Sequence, residues 1–312
     1  MKSKTISKNI LRSKIKPPKK PVEEIFLDFP DIPGKKESSP TQGEDDVPVT
    51  NTKYEDRYVC FIDILGFKEL IAASAREVPG IEPSMIFSAL DIRHDSVKDS
   101  FFNLLNIQSP EDPDNDLLRV HSFSDCVVAS CPKNPHGLAL LMFFCWQISS
   151  DWLSKSFLSR GGIACGKLLH KLNDGGAPLI FGPAFIQAYK LESEIADFPR
   201  IVFSKEVRQA YLEIESNTAP EQSQLRIITK ALITKFDDGP TGIDIFSHLR
   251  ADGLDTSSQS FKEDAEQYKN ALINHKHEAC DTPHFFKKIH WLVERFNKAI
   301  LQSKYADKHI KE

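Results

Sequence analysis

Residues 57–70, RYVCFIDILGFKEL, constrain the fold more than any other stretch, because an apolar strand here carries one carboxylate into the interior. Cys60, Phe61, Ile62, Ile64 and Leu65 leave both faces apolar, so the segment reads as a buried strand covered on two sides. Asp63 sits in its middle. Burying even a neutral polar group without a partner costs roughly 2–7 kcal/mol, so Asp63 needs a cation, a donor network or a bound metal. Taken alone, it reads equally well as a carboxylate satisfied by backbone amides or a buried Arg. Gly66 then breaks the strand and lets the backbone turn closely around a ligand. Phe67 to Ala75 resumes with helical spacing, so amides at a helix start face the same place as Asp63.

A chain of 312 residues that is 40% hydrophobic can build a core of ordinary domain size with extensions. The net charge of −4 and the spread of Lys and Arg after residue 20 argue against a general nucleic-acid binder and favour a small ligand. No apolar run approaches the roughly 20 residues that span a bilayer, and the N-terminus lacks the apolar core of a signal peptide, so the expected location is the cytoplasm. Six cysteines without a CxxC pair fit free thiols in a reducing compartment.

Residues 1–20 hold eight Lys or Arg and no acid, whereas residues 21–50 hold eight Asp or Glu and five Pro. Neither half can bury enough apolar surface to offset the entropy of ordering, so 1–50 reads as a disordered tail. Residues 67–106 read as helical, broken near Pro79, Gly80 and Pro83. LLRVHSFSDCVVAS, 117–130, reads as a hairpin with Asp125 at or just after its turn. If that hairpin pairs beside the first strand, Asp63 and Asp125 converge, and two hard oxygen ligands suit Mg²⁺ or Mn²⁺. Asp125 by itself is an ordinary turn residue.

Residues 136–156 form a strongly apolar helix suited to pack across a sheet. LSRGGIACGKLLHKL, LIFG and IVFSKEV read as strands, with a helix over FIQAYKLESEIA between the last two. The resulting order of strand, helix, hairpin, helix, strand, strand, helix, strand predicts an α+β fold with helices over a largely antiparallel sheet. Residues 233–249 read as two further strands around a DDGPTG turn, followed by two amphipathic helices. His275, His277, Cys280 and His284 match no standard zinc spacing and read as a helix end.

FIDILGF resembles the first metal-binding strand of the class III nucleotidyl cyclases, and RGGIACG and FGPAFIQAYKLE are similar to their later strand and helix segments. Together with FSDCVVAS and FPRIVFS, these segments most resemble the pyrimidine cyclases of bacterial Pycsar anti-phage systems, over about Tyr54 to Leu301. The resemblance implies a ferredoxin-type catalytic domain over 54–210 and a C-terminal extension over 211–312. It implies two Mn²⁺ or Mg²⁺ ions held by Asp63, Asp125 and the Ile64 carbonyl, with Gly66 and Phe67 at the triphosphate. Cyclisation of UTP or CTP, a homodimer with composite sites, and a separate effector that reads the cyclic product are implied as well.

Two departures stand out. The family's ribose Asn falls on Ile186 and its transition-state Arg on Lys190, a point charge without the planar fork of Arg. Ile186, Tyr189 and Lys190 share a helical face, so the Tyr189 hydroxyl is placed to take over a polar contact, although Lys190 reads equally as a surface lysine. The two purine-reading positions fall on His121 and Leu179; His121 can face either pyrimidine edge according to its tautomer. Loss of the ribose Asn and the Arg also admits a rival, a cyclase-like nucleotide-binding module without catalysis.

Overall fold

The computed structural model describes residues 53–78, 81–92, 94–112, 116–172, 176–250, 252–254, 263–301 and 303–311; the charged segment 1–50 lies outside them. Strand β1 (Glu55–Leu65) is flanked by β3 (Cys126–Pro132) and β4 (Leu158–Leu172), antiparallel to both. Its two apolar faces explain this central place. Cys60, Ile62 and Ile64 enter the main core on one side, while Val59 and Phe61 pack into a smaller cluster on the other.

Strand β2 (Arg119–Phe123) pairs with β3 as the predicted hairpin. Helices α1 (Phe67–Ala75), α2 (Pro83–Leu90) and α3 (His94–Leu104) link β1 to β2, and α4 (Pro135–Ser154) links β3 to β4. The four strands lie in the order β2-β3-β1-β4, the split βαβ arrangement of a ferredoxin-type sheet. The expected α+β fold is therefore the observed one.

Helix α4 is buried almost all round, with Trp146, Trp152, Phe144 and Leu141 fully enclosed. Each such side chain contributes about 1.5–3 kcal/mol relative to exposure, so α4 anchors its side of the sheet. Asn134 caps it by accepting from the Gly137 amide.

Strand β5 (Pro178–Phe181) pairs with the end of β4 and leads into α5 (Pro183–Lys190), which continues as a π-helical turn over Leu191–Ala196. Ala184 and Ala188 seat α5 on the face of the sheet opposite α4. Strand β6 (Ile201–Phe203) runs parallel to β4. It is shorter than the 201–207 expected, because the Ser204 hydroxyl accepts from the Val207 amide and starts α6 (Lys205–Ser216). Helix α6 and the following α7 (Ser223–Leu232) were not expected; both bury one face in the main core.

Strands β7 (Ile233–Lys235) and β8 (Thr241–Ile243) are three residues each and extend the sheet beyond β6. Helices α8 (Asp264–Glu278) and α9 (Pro283–Ile300) form a second core around Phe246, Tyr268, Leu272 and Phe296. Arg200 ties this region together by a two-pronged bond to Asp238 at 2.6 and 2.7 Å, with its guanidinium 4.8 Å from the Phe236 ring centre and 5.6 Å from that of Trp291. Near the end of α8, His275 contacts the Ser156 carbonyl at 2.9 Å. Among the described residues, no helix is long and apolar enough to cross a membrane.

Candidate functional site

Asp63 projects from β1 on the same side as Val59 and Phe61, the face on which α5 lies. In register it stands between Cys126 of β3 and Arg160 of β4. Asp125 occupies the β2–β3 turn, where Ser124 takes a left-handed conformation (φ 55°). The Ile64 amide donates to the Asp125 carbonyl at 3.0 Å, so the backbone itself holds the turn against β1. The convergence read from the sequence is thus present in the fold.

A third carboxylate joins them. Glu192, from the π-helical turn, is almost fully buried and ion-paired to Arg160. Gly162 makes this approach feasible: a Cβ there would stand 2.4 Å from the Leu191 Cβ and 2.5 Å from the Ala188 carbonyl oxygen. Gly162 is therefore a packing requirement of the segment that delivers Glu192, whereas Gly161 lets β4 lie close against Phe61 and Ile62 of β1, and π-helical turns often mark functional sites.

Three carboxylates face one guanidinium, and the electrostatics record the surplus. Burial, then the charges of Glu192 and Asp125, push the Asp63 carboxyl up to about 6 against the pull of Arg160. Burial also raises Glu192. The Cys126 thiol beside them is pushed up to about 11 by burial and by all three acids. A divalent cation would relieve this excess. Among the described residues no group of three or more His, Cys, Asp or Glu is arranged to hold a metal by itself. Mg²⁺-type sites need only one or two protein carboxylates when substrate phosphates complete the shell, so Asp63 and Asp125 fit a metal that arrives with a phosphorylated ligand.

Gly66 adopts a left-handed conformation (φ 75°) and starts α1, with open space where a Cβ would lie. The Phe67 side chain is half-buried and packs on the main core. The Ile64 side chain is fully buried, so only its backbone is available to a ligand.

Tyr189 and Lys190 are exposed on α5 beside exposed Ile186. The Tyr189 ring stands edge-on to Phe61 at 5.4 Å. On strand β5, Ile180 packs inward, and Leu179 and Phe181 are exposed.

His121 lies farther along the same face, in register with Val128 and Phe61. Its Nδ1 is 2.6 Å from Nε2 of His170, whose Nδ1 is 2.8 Å from the Ser130 hydroxyl. Arg57 Nε donates to that hydroxyl at 3.0 Å, and Arg57 also donates to Glu55, Asp116 O and Ser130 O. Arg119 donates to Glu55 and to the His170 carbonyl.

Sequence reasoning assigned no role to Glu192, Arg160, His170 or Ser130. For the first pair the available signal was Arg160 directly before two glycines; His170 gave none, since its partners lie 40 and 49 residues away.

No family model matches the chain, and no curated protein matches it. Among solved structures it is similar to a class III adenylyl cyclase-like ATP-binding protein from Pseudomonas aeruginosa, at 18% identity over 57% of this chain and 40% of that one, with a TM-score of 0.36. The adenylyl cyclase CyaB from P. aeruginosa gives 15% identity over 52% and 82% of the two chains, with a TM-score of 0.34. The guanylate cyclase domain of RhGC from Catenaria anguillulae, in complex with GTP, gives 15% over 61% and 94%, with a TM-score of 0.37. TM-scores this low carry no function over to this chain, which covers less than half of the first of these proteins.

Proposed function

We propose that the protein is a nucleotidyl cyclase that converts a pyrimidine nucleoside triphosphate, UTP or CTP, into its 3′,5′-cyclic monophosphate and pyrophosphate. The observation that carries this reading is the convergence of Asp63 and Asp125 at one end of a ferredoxin-type sheet, with surplus negative charge and a helix start beside them. Asp63, Asp125 and the Ile64 carbonyl would hold two Mn²⁺ or Mg²⁺ ions, which would neutralise the charge that develops in the displacement at phosphorus. Gly66 and the Phe67 amide approach the triphosphate, and Glu192 fixes Arg160 beside Asp63. His121 meets the base.

Lys190 and Tyr189 reach a site in the second subunit of a homodimer, where the lysine neutralises charge on the transferring phosphate. Their exposure supports this arrangement. The catalytic domain occupies 54–210. A cyclic pyrimidine product suits a second messenger in anti-phage defence, read by a separate effector. The rival reading, a nucleotide-binding module without catalysis, is favoured by Ile186 and Lys190 standing at the family's Asn and Arg positions.

Incubation of the protein with each nucleoside triphosphate and Mn²⁺, followed by mass identification of products, separates these readings. Cyclic UMP or cyclic CMP is expected; tight nucleotide binding without pyrophosphate release would establish the rival. Mixing Asp63→Ala with Lys190→Ala subunits should restore turnover through one intact composite site. If mixed dimers form and stay inert, the sites are not shared.

A further inference from the structure

The ion pair between Arg160 and Glu192 is only as well placed as the two segments that carry it. Its contacting atoms, Arg160 Nε and Glu192 Oε1, are buried and have no other partner among the described residues. One residue holds both segments. The Arg200 carbonyl accepts from the Gly161 amide at 2.9 Å, next to Arg160 on β4. The Arg200 guanidinium reaches the other way: Nε donates to the Ala196 carbonyl at 2.8 Å and Nη2 to the Ile195 carbonyl at 3.3 Å, at the end of the π-helical turn that carries Glu192. Carbonyls in the last turn of a helix lack amide partners within it and lie at the negative end of its dipole, so a cation suits this place. Arg200 is held in turn from farther along the chain. Asp238, in the β7–β8 turn, accepts the two-pronged bond, and Trp291 of α9 lies beside the guanidinium and stacks on Phe198 at 4.9 Å and 23°. Lys288 of α9 is 3.5 Å from Asp197, the residue that ends the turn. A buried guanidinium without its carboxylate is costly, so Asp238 decides how firmly Arg200 sits.

We infer that Arg200 is a positioning residue for the Asp63 end of the sheet, and that Asp238 and Trp291 set, through it, the place of the Arg160–Glu192 pair beside Asp63. The chain beyond residue 210, to which the proposed chemistry gives no part, thereby controls how well the site takes a metal and a nucleotide. This rests on the cyclase reading above and deepens it. Arg200, Asp238 and Trp291 act through Arg160 and Glu192 rather than on the substrate. A change at Asp238 is therefore felt at Asp63 only while that pair is intact.

Two measurements on the full chain test the inference. Nitrogen-15 spectra of arginine side chains, without metal or nucleotide, follow the Arg160 Nε–H, which the buried pair should protect from exchange. Asp238→Asn, which keeps the shape of the turn and removes its charge, and Trp291→Leu, on the other side of Arg200, should each speed that exchange several-fold. An unchanged Arg160 signal in either variant overturns the inference. Mn²⁺ titration followed by electron paramagnetic resonance, with a non-hydrolysable UTP analogue, reads the consequence at the site. Asp238→Asn should weaken nucleotide-dependent Mn²⁺ affinity about three- to tenfold, on the scale of coupling carried through a packed network, and Asp238→Glu, which keeps the carboxylate, should recover most of it. In a Glu192→Gln background the Asp238→Asn effect should vanish, because the pair it acts through is already cut; losses that simply add overturn the inference. A purely structural Asp238 would lower the urea midpoint while leaving the Mn²⁺ affinity of the folded protein unchanged, and that outcome overturns the inference and leaves the cyclase reading standing. No nucleotide-dependent Mn²⁺ uptake by the wild type removes the cyclase reading, and the inference falls with it.

Discussion

The two ends of one sheet face handle buried charge in opposite ways. Around Arg57, every strong donor meets an acceptor: Glu55, Asp116, Ser130 and the His170 carbonyl are shared between two guanidiniums. Around Asp63, three carboxylates share Arg160, and the Asp63 carboxyl is pushed up to about 6. Both ends are built on the same strands, β1, β3 and β4, so backbone geometry does not cause the difference. A closed network rigidifies the sheet; a network left short of a cation is completed by a ligand.

The sharpest way to break this contrast is to neutralise the unsatisfied end. Asp63→Asn or Asp125→Asn should lower pyrophosphate release with Mn²⁺ by at least about three decades, on the scale of removing a group that acts only in the transition state. The fold should survive. A variant that keeps wild-type turnover would mean the carboxylates are structural.

At the closed end the same kind of change should act on stability. Arg57→Ala removes a buried, multiply bonded cation and should cost on the order of 3 kcal/mol in urea unfolding, since it takes the donor away from the Ser130 and Asp116 carbonyls. In EDTA, Asp63→Asn should instead leave stability unchanged or raise it, because it removes a carboxylate that burial disfavours. Equal destabilisation by both substitutions would erase the distinction between the two ends.

The smallest effect is in the pH dependence, where the two ends should differ in sign. The Asp63 pKa is raised in the folded protein, so its contribution to stability is fully present below about pH 4 and is lost as pH rises through about 6. A rise from the ordinary carboxyl value of 3.8 to about 6, discounted for partial exposure, amounts to about 1–2 kcal/mol. The His170 pKa is depressed to about 3, so its contribution is present above pH 6.5 and is lost as pH falls toward 3. In EDTA, Asp63→Asn should steepen the rise of stability between pH 4 and 6, and His170→Gln should flatten it. Calorimetric melting temperatures across that range check both signs.

What the sequence could disclose follows the same division. Asp63 and Asp125 were legible because each sits at a local signal: a carboxylate inside an apolar strand, and an acid at a hairpin turn. The α+β class followed from the alternation of strand and helix periods, and the ferredoxin-type order from the resemblance of FIDILGF and the later segments to a known family. Helix α6 was hidden because Ser204 follows an apolar strand run without a break, and only its capping bond ends the strand at Phe203. Glu192 was hidden because a KLESE run reads as a solvated helix face; it is buried only because the helix loosens into a π turn against Gly162. The His121–His170 contact joins strands 49 residues apart, and no local pattern specifies such a pair.

Cation binding at Asp63 and Asp125 is the property on which the contrast between the two ends depends. Electron paramagnetic resonance of Mn²⁺ titrated into the protein with a non-hydrolysable UTP analogue reads that binding without requiring turnover. Wild type should take up Mn²⁺ in a nucleotide-dependent way, and Asp63→Asn and Asp125→Asn should each lose most of that uptake. Nucleotide-dependent Mn²⁺ binding of wild-type strength in the Asp63→Asn, Asp125→Asn double variant would contradict the assignment of this end of the sheet.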